Sequence, residues 1–190
     1  MPRNKEFDYN EKLRAARDLF WKKGYNATSM SDLVEAMKIN RSSLYLTYGN
    51  KHDLFLKSLE DYIRDKDMQY RIASELSAEP LQAVRNIIRS VFQSAVKEGN
   101  CLFTNSVFEL AVVDRQVNSM LTAQSLKTVS LFEKLLTAAK KDGSLKSDKS
   151  PRALAHFLVS GLTSIYNVQI LFSDTQLTKQ TAEILTGVLE

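Results

Sequence analysis

The chain has 190 residues, 44% of them hydrophobic and 25% charged, with a net charge of +4. That make-up fits a globular protein of one or two domains and excludes a disordered or fibrous chain. A single cysteine, Cys101, excludes an intrachain disulfide framework, and six Gly with three Pro favour long helices over strands and tight turns.

Residues 1–60 carry eleven Lys and Arg against eight Asp and Glu, so most of the positive excess is N-terminal. This permits nucleic acid as a partner without requiring it. No apolar leader core is visible in MPRNKEFDYNEK, and no apolar run approaches the roughly 18 residues of a membrane span. A cytoplasmic protein with no membrane partner is expected.

The hydrophobic spacing predicts helices throughout. The first runs from about Asn10 to Lys23, with Asp8 as N-cap and Glu11 as its reciprocal acid; Leu13, Ala16 and Phe20 form the buried stripe and Gly24 the stop. In the second, Ser29 and Asp32 form the cap, and Met30, Leu33, Val34 and Met37 share one face. Lys38-Ile39-Asn40 is a turn, and Asn40 caps a third helix from Arg41 to about Tyr48. Gly49-Asn50 breaks the chain before a fourth helix over about 51–68, which Asn50 and Asp53 cap.

Ser74–Glu79 reads as a linker, and Pro80 opens a fifth helix that ends at Gly99. A sixth spans Leu102 to Val113, and Asp114 caps a seventh that Gly143 stops. Ser150-Pro151 opens an eighth to about Phe172, apolar on more than one face. The last starts at Thr175 or Thr178 and runs to Leu189.

Two short helices joined by a tight turn, with a longer helix on each side, form a helix-turn-helix unit. In the third helix Leu44 and Tyr48 are four apart and face inward with Ile39. That leaves Arg41, Ser42, Ser43, Tyr45, Leu46 and Thr47 on or near the outward side, where no acid occurs. A solvated face usually carries Glu and Lys. Short hydroxyls, a guanidinium and a phenol can instead bond phosphates and base edges in a major groove without repulsion. The same spacing also suits a small helical corner of a larger core.

The run AARDLFWKKGYNATSMSDLVEAMKINRSSLYLTYGNKHDLFLKSL resembles the DNA-binding domain of the TetR family of bacterial transcriptional regulators. Phe20, Gly24-Tyr25, Ala27-Thr28-Ser29, Leu33, Ile39, Leu44-Tyr45, Tyr48, Lys51 and Leu54-Phe55 carry the likeness together; none is specific alone. The resemblance implies an all-α protein in two parts. Residues 1–50 would be the reading head, with helix 4 as the connecting arm. Residues 69–190 would dimerise and hold a ligand.

By position, Thr28 and Ser29 would bond the DNA backbone. Arg41, Ser42, Ser43 and Tyr45 would lie in or beside the groove, and Tyr48 and Lys51 would touch flanking phosphates. The chain departs from the family at Lys38, where Gly is common. It departs again at Leu46 and Thr47, where Tyr and His are common; Leu46 can meet a thymine methyl. The implied partners are an operator duplex, a small-molecule inducer and a second copy of the chain; no cofactor or metal is implied.

Gly99-Asn-Cys-Leu-Phe-Thr-Asn105 with Glu109-Leu-Ala111 resembles a pattern in one part of the family, from which Asn100 departs as an extra residue. Some relatives there sense electrophiles or oxidants through a cysteine. Cys101 also reads as a small residue at a helix start. Phe92, Cys101, Phe103, Phe108, Leu131 and Tyr166 are pocket candidates, and at helical spacing they equally suit plain core. Phe157, Gly161, Ser164, Ile165 and Val168, with Ile184 and Val188 of the last helix, are candidates for a four-helix dimer interface. The alternative is packing on their own chain.

An all-helical enzyme, or a scaffold with a helix-turn-helix-like corner, is the competing reading. His52 and His156 lack helical partners of metal-site spacing, and no Gly-rich phosphate loop occurs. Glu109 and Asp114 are too ordinary to rank as a catalytic pair, so no catalytic residue is assigned. Inducer, operator and the sign of regulation are not legible.

Overall fold

The computed structural model describes residues 7–190, which form nine helices and no strand. They are α1 Tyr9–Lys23, α2 Met30–Met37, α3 Arg41–Tyr48, α4 Lys51–Glu75, α5 Pro80–Glu98, α6 Leu102–Glu109, α7 Arg115–Lys141, α8 Pro151–Phe172 and α9 Thr175–Gly187. The first six residues of the expected 1–50 unit lie outside the described residues.

The helix starts follow local chemistry. Ser29 with Asp32 and Asn50 with Asp53 make complete capping boxes on α2 and α4. Asp8 accepts from the Asn10 and Glu11 backbone N–H groups, but Glu11 does not reach back; it pairs with Lys12 instead. Asn40 accepts from the Ser43 backbone and starts α3. Each such cap stabilises its helix by about 1 kcal/mol.

Three expected boundaries move. α4 continues to Glu75 rather than ending near 68, because half-buried Tyr70 and buried Ala73 keep its inner face packed. α6 stops at Glu109, and residues 110–113 form turns that swing the chain into α7. α9 ends at Gly187, and Leu189 is fully buried beyond it.

α1 lies on α4, and α4 on α5; α5 then packs against α7, α8 and α9, while α8 lies between α7 and α9. One apolar core runs through all of it, from Leu13 to Leu189. Arg17 of α1 fastens α4 through Asp61 at 2.8 Å and Asp65 at 2.6 Å. Lys66 of α4 pairs with Glu98 of α5 at 2.9 Å.

α8 corrects the reading that no run is long enough for a membrane span. By length and composition it qualifies: an 18-residue stretch of it has a mean hydropathy of 1.3, because its one charged residue, Arg152, sits in the first turn and Ser160, Thr163, Ser164 and Asn167 carry no charge. Leu154, Leu158, Leu162, Ile165 and Tyr166 bury one side of it in the core. Gly161 is where α9 comes closest: a Cβ there would stand 2.3 Å from Leu185 Cδ1.

Candidate nucleic-acid interface

The turn before α3 is tight because Lys38 takes a left-handed conformation, φ 51° and ψ 45°. In a residue with a Cβ this costs about 1 kcal/mol. Ile39, Leu44 and Tyr48 then anchor α3 in the core. The opposite face is solvent-open: Arg41, Ser42, Tyr45 and Leu46 are exposed, and Ser43 and Thr47 half-buried. Leu46 is 85% exposed, an unusual place for a leucine unless something apolar meets it. The Arg41 guanidinium lies 5.9 Å from the Tyr45 ring centroid, which holds the charge beside the phenol.

Ser29 is exposed at the start of α2, and its hydroxyl accepts from the Asp32 N–H. The Ser29 N–H, with Lys23 beside it, holds the Asp32 carboxyl down at about 2. Lys51 opens α4, and its ammonium stands 4.3 Å over the Tyr25 ring.

Two expected backbone contacts fail on burial. Thr28 is fully buried and its hydroxyl donates to the Gly24 carbonyl at 2.6 Å. Tyr48 is 1% exposed, stacks on Tyr9 and donates to the Tyr9 carbonyl at 2.8 Å. Burial raises its hydroxyl to about 12, so it stays protonated. Neither side chain is free for a phosphate.

Behind this face, three junctions hold the first helices to the later ones. Trp21 Nε1 donates to the Asn100 carbonyl, and Asn100 Nδ2 donates back to the Trp21 carbonyl, both at 3.1 Å. The residue that departs from the family pattern is thus a clamp on α1. The Glu109 carboxylate accepts from the backbone N–H groups of Tyr25 and Asn26 at 2.9 and 2.7 Å. Gly24 permits this approach, since a Cβ there would sit 3.0 Å from a Glu109 oxygen. His52 Nε2 lies 2.5 Å from Asp114 Oδ2. Burial raises the Asp114 carboxyl, but the Val117 N–H and His52 outweigh it and hold it below its ordinary value. Sequence reasoning missed all three; only the Glu109-Leu-Ala111 likeness marked the place.

α6 connects these junctions to a cavity of about 70 Å³ between α4, α6, α7 and α8. Cys101, Phe103 and Tyr166 line it as expected candidates, joined by Tyr62, Lys66, Tyr70, Gln124 and Thr128. Phe92, Phe108 and Leu131 do not. Phe92 lies in a groove between α5 and α9, Leu131 faces one between α4 and α7, and Phe108 is 73% exposed because α6 turns Leu102, Thr104 and Ser106 inward instead. Cys101 is buried, and its Sγ accepts from the Tyr62 hydroxyl at 3.3 Å.

The expected dimer residues divide. Ile165 is fully buried and Gly161 packs on Leu185, both within the chain, and Val188 packs against the core. Ser164 is half-buried and donates to the Gly161 carbonyl; Val168 is half-buried. Phe157 and Ile184 are exposed, as are Ile170, Leu171 and Leu177 elsewhere on the same two helices.

The sequence matches two family models. Residues 13–57 match the model of bacterial regulatory proteins of the tetR family, and residues 78–185 match the tetracyclin repressor-like C-terminal domain. The uncharacterized HTH-type transcriptional regulator YezE of Bacillus subtilis is 31% identical over the full length of both chains. The HTH-type transcriptional repressor ComR of Escherichia coli is 29% identical, over 82% of this chain and 76% of its own. Among solved structures, the TetR-family regulator CifR, a cysteine variant complexed with 26-bp operator DNA, superposes with a TM-score of 0.87 at 22% identity. That match covers 99% of this chain and 100% of CifR.

Proposed function

Because the chain belongs to the TetR family and is a DNA-binding transcriptional regulator, we propose that it represses its target genes as a cytoplasmic homodimer and leaves its operator when a small molecule enters the cavity. The observation that carries this is the outward face of α3, free of acids and furnished with Arg41, Ser42, Ser43, Tyr45, Leu46 and Thr47. Ser29 and Lys51 flank it and meet phosphates. ComR, named a repressor, supports the sign of regulation.

The functional division follows the same logic: residues 1–50 read DNA, α4 connects, and residues 69–190 bind ligand and dimerise. Phe157, Ile170, Leu171 and Ile184 are the apolar side chains that a second copy covers. Two heads then reach successive major grooves, about 34 Å apart. The Asn100, Glu109 and Asp114 junctions carry strain from the cavity to the head. Release requires that the ligand favour one arrangement of the heads over another.

The test is a mobility shift of the purified chain on the DNA upstream of its own gene, across a salt series. Tight binding that weakens steeply with salt supports the reading. Absence of specific binding to that DNA, and to any sequence selected from a random duplex pool, overturns it.

A further inference from the structure

The chemistry of the cavity restricts what can enter it, and this rests on the ligand-responsive reading above. Its lining includes three phenols, Tyr62, Tyr70 and Tyr166, and the Cys101 thiol, which Tyr62 contacts. Burial, the largest cause, raises all three hydroxyls above the ordinary tyrosine range, and Cys101 adds to each shift. They are therefore neutral donors near pH 7. Tyr62 spends its proton on Cys101. The Tyr70 hydroxyl has no hydrogen-bond partner among the described residues, yet no buried side-chain polar atom is left sealed without one. It is therefore accessible and lacks an acceptor, and Tyr70 lines both this cavity and the open groove between α4 and α7.

The one charged group in the lining is already compensated. Lys66 Nζ is 2.9 Å from Glu98 Oε2 and 3.2 Å from Gln69 Oε1, above the rings of Trp21 and Tyr62. A carboxylate beside Lys66 would also meet Glu98. An ammonium would meet Lys66 and find no free carboxylate. Either ion would lose its hydration with no partner to replace it. A neutral group faces no such penalty. Ile63, Phe103, Val159 and Leu162 supply apolar surface to the same lining.

We propose that the ligand is a compact uncharged molecule with an apolar body and one hydrogen-bond acceptor, a carbonyl or ether oxygen, that takes the proton of the Tyr70 hydroxyl. A cavity of about 70 Å³ is roughly half the size of one that takes a benzene ring, so it admits a body of only about four or five heavy atoms.

Three small probes of similar shape separate the charge states: propionamide, propionate and propylammonium. Calorimetry measures affinity. Emission of Trp21, the sole tryptophan, reports the site, since its ring stands edge-on to Tyr62 at 4.9 Å. The carboxamide is expected to bind saturably and shift Trp21 emission, with both ions at least about tenfold weaker. Tyr70→Phe, checked for an unchanged melting temperature, should weaken the carboxamide by about tenfold. An ion binding as tightly as the amide, no amide binding up to its solubility limit, or an indifferent Tyr70→Phe each overturns the proposal. None of these readouts uses DNA, so failure of the operator assay removes the repressor reading alone.

Discussion

The outward faces of α3 and of α8 with α9 are both left uncovered within the chain, and they differ in kind. α3 offers hydroxyls, a guanidinium and a phenol around the single exposed Leu46. α8 and α9 offer Phe157, Ile170, Leu171, Leu177 and Ile184. A face of hydrogen-bonding groups remains stable in water until a polar partner arrives. An apolar face of several large side chains is costly to leave wet and calls for a permanent cover. The same chain therefore carries one surface suited to reversible association and one suited to an obligate partner.

The sharpest way to break this comparison is at the apolar face. Phe157→Glu combined with Ile184→Glu places two carboxylates where the second copy would pack. Sedimentation should show a monomer at concentrations where the parent is a dimer, a loss of at least about a hundredfold in association. Operator affinity should fall with it, because each head then binds alone. An unchanged dimer would place the interface elsewhere.

The polar face is tested by Arg41→Ala. A guanidinium that bonds a base edge or phosphate contributes about 1–3 kcal/mol, so operator affinity should drop roughly tenfold to a hundredfold. The melting temperature should hold, since Arg41 is exposed and makes no ion pair among the described residues. If affinity survives, the reading surface is not the outward side of α3.

These two faces were unequally legible. Everything that shapes α3 lies within a dozen residues: the Asn40 cap, the Leu44 and Tyr48 spacing, the Gly49 exit. Local spacing could therefore find it. It could not assign Thr28 and Tyr48, which have hydroxyls suited to phosphates but spend them on Gly24 and Tyr9 inside the fold. On α8 the stripe was visible but its phase was not. Ile165 and Gly161 belong to the same apolar run as Phe157, and only the position of α9 decides which side is inward. The Glu109 clasp joins residues more than eighty apart, and no local pattern encodes such a pair.

That clasp gives an intermediate effect. Glu109→Gln keeps the size but has one acceptor oxygen where Glu109 uses two, so one hydrogen bond to the Tyr25 or Asn26 amide is lost and the other loses its charge, a loss of about 1–3 kcal/mol in the hold on the head. Ligand binding, read at Trp21, should be unchanged. The ligand-induced fall in operator affinity should shrink several-fold, by roughly the factor those energies imply. A variant with full coupling would show that Asn100 and Asp114 carry the link without it.

The smallest effect is expected at Lys38, and it separates folding from recognition. The residue is exposed and held left-handed by the turn between α2 and α3. Its Cβ costs about 1 kcal/mol there, which Gly avoids. Gly also adds entropy to the unfolded chain, which offsets part of the gain. Lys38→Gly should therefore raise stability in urea by some fraction of about 1 kcal/mol. It also removes a positive charge close to α3. If Lys38 only closes the turn, operator affinity and its salt slope stay as they were. If Lys38 also neutralises a phosphate, affinity falls uniformly across sequences and the salt slope shrinks by about one ion. A stabler protein that binds DNA less well would then mark the strained turn as part of the reading surface, where a lysine is kept at the expense of stability.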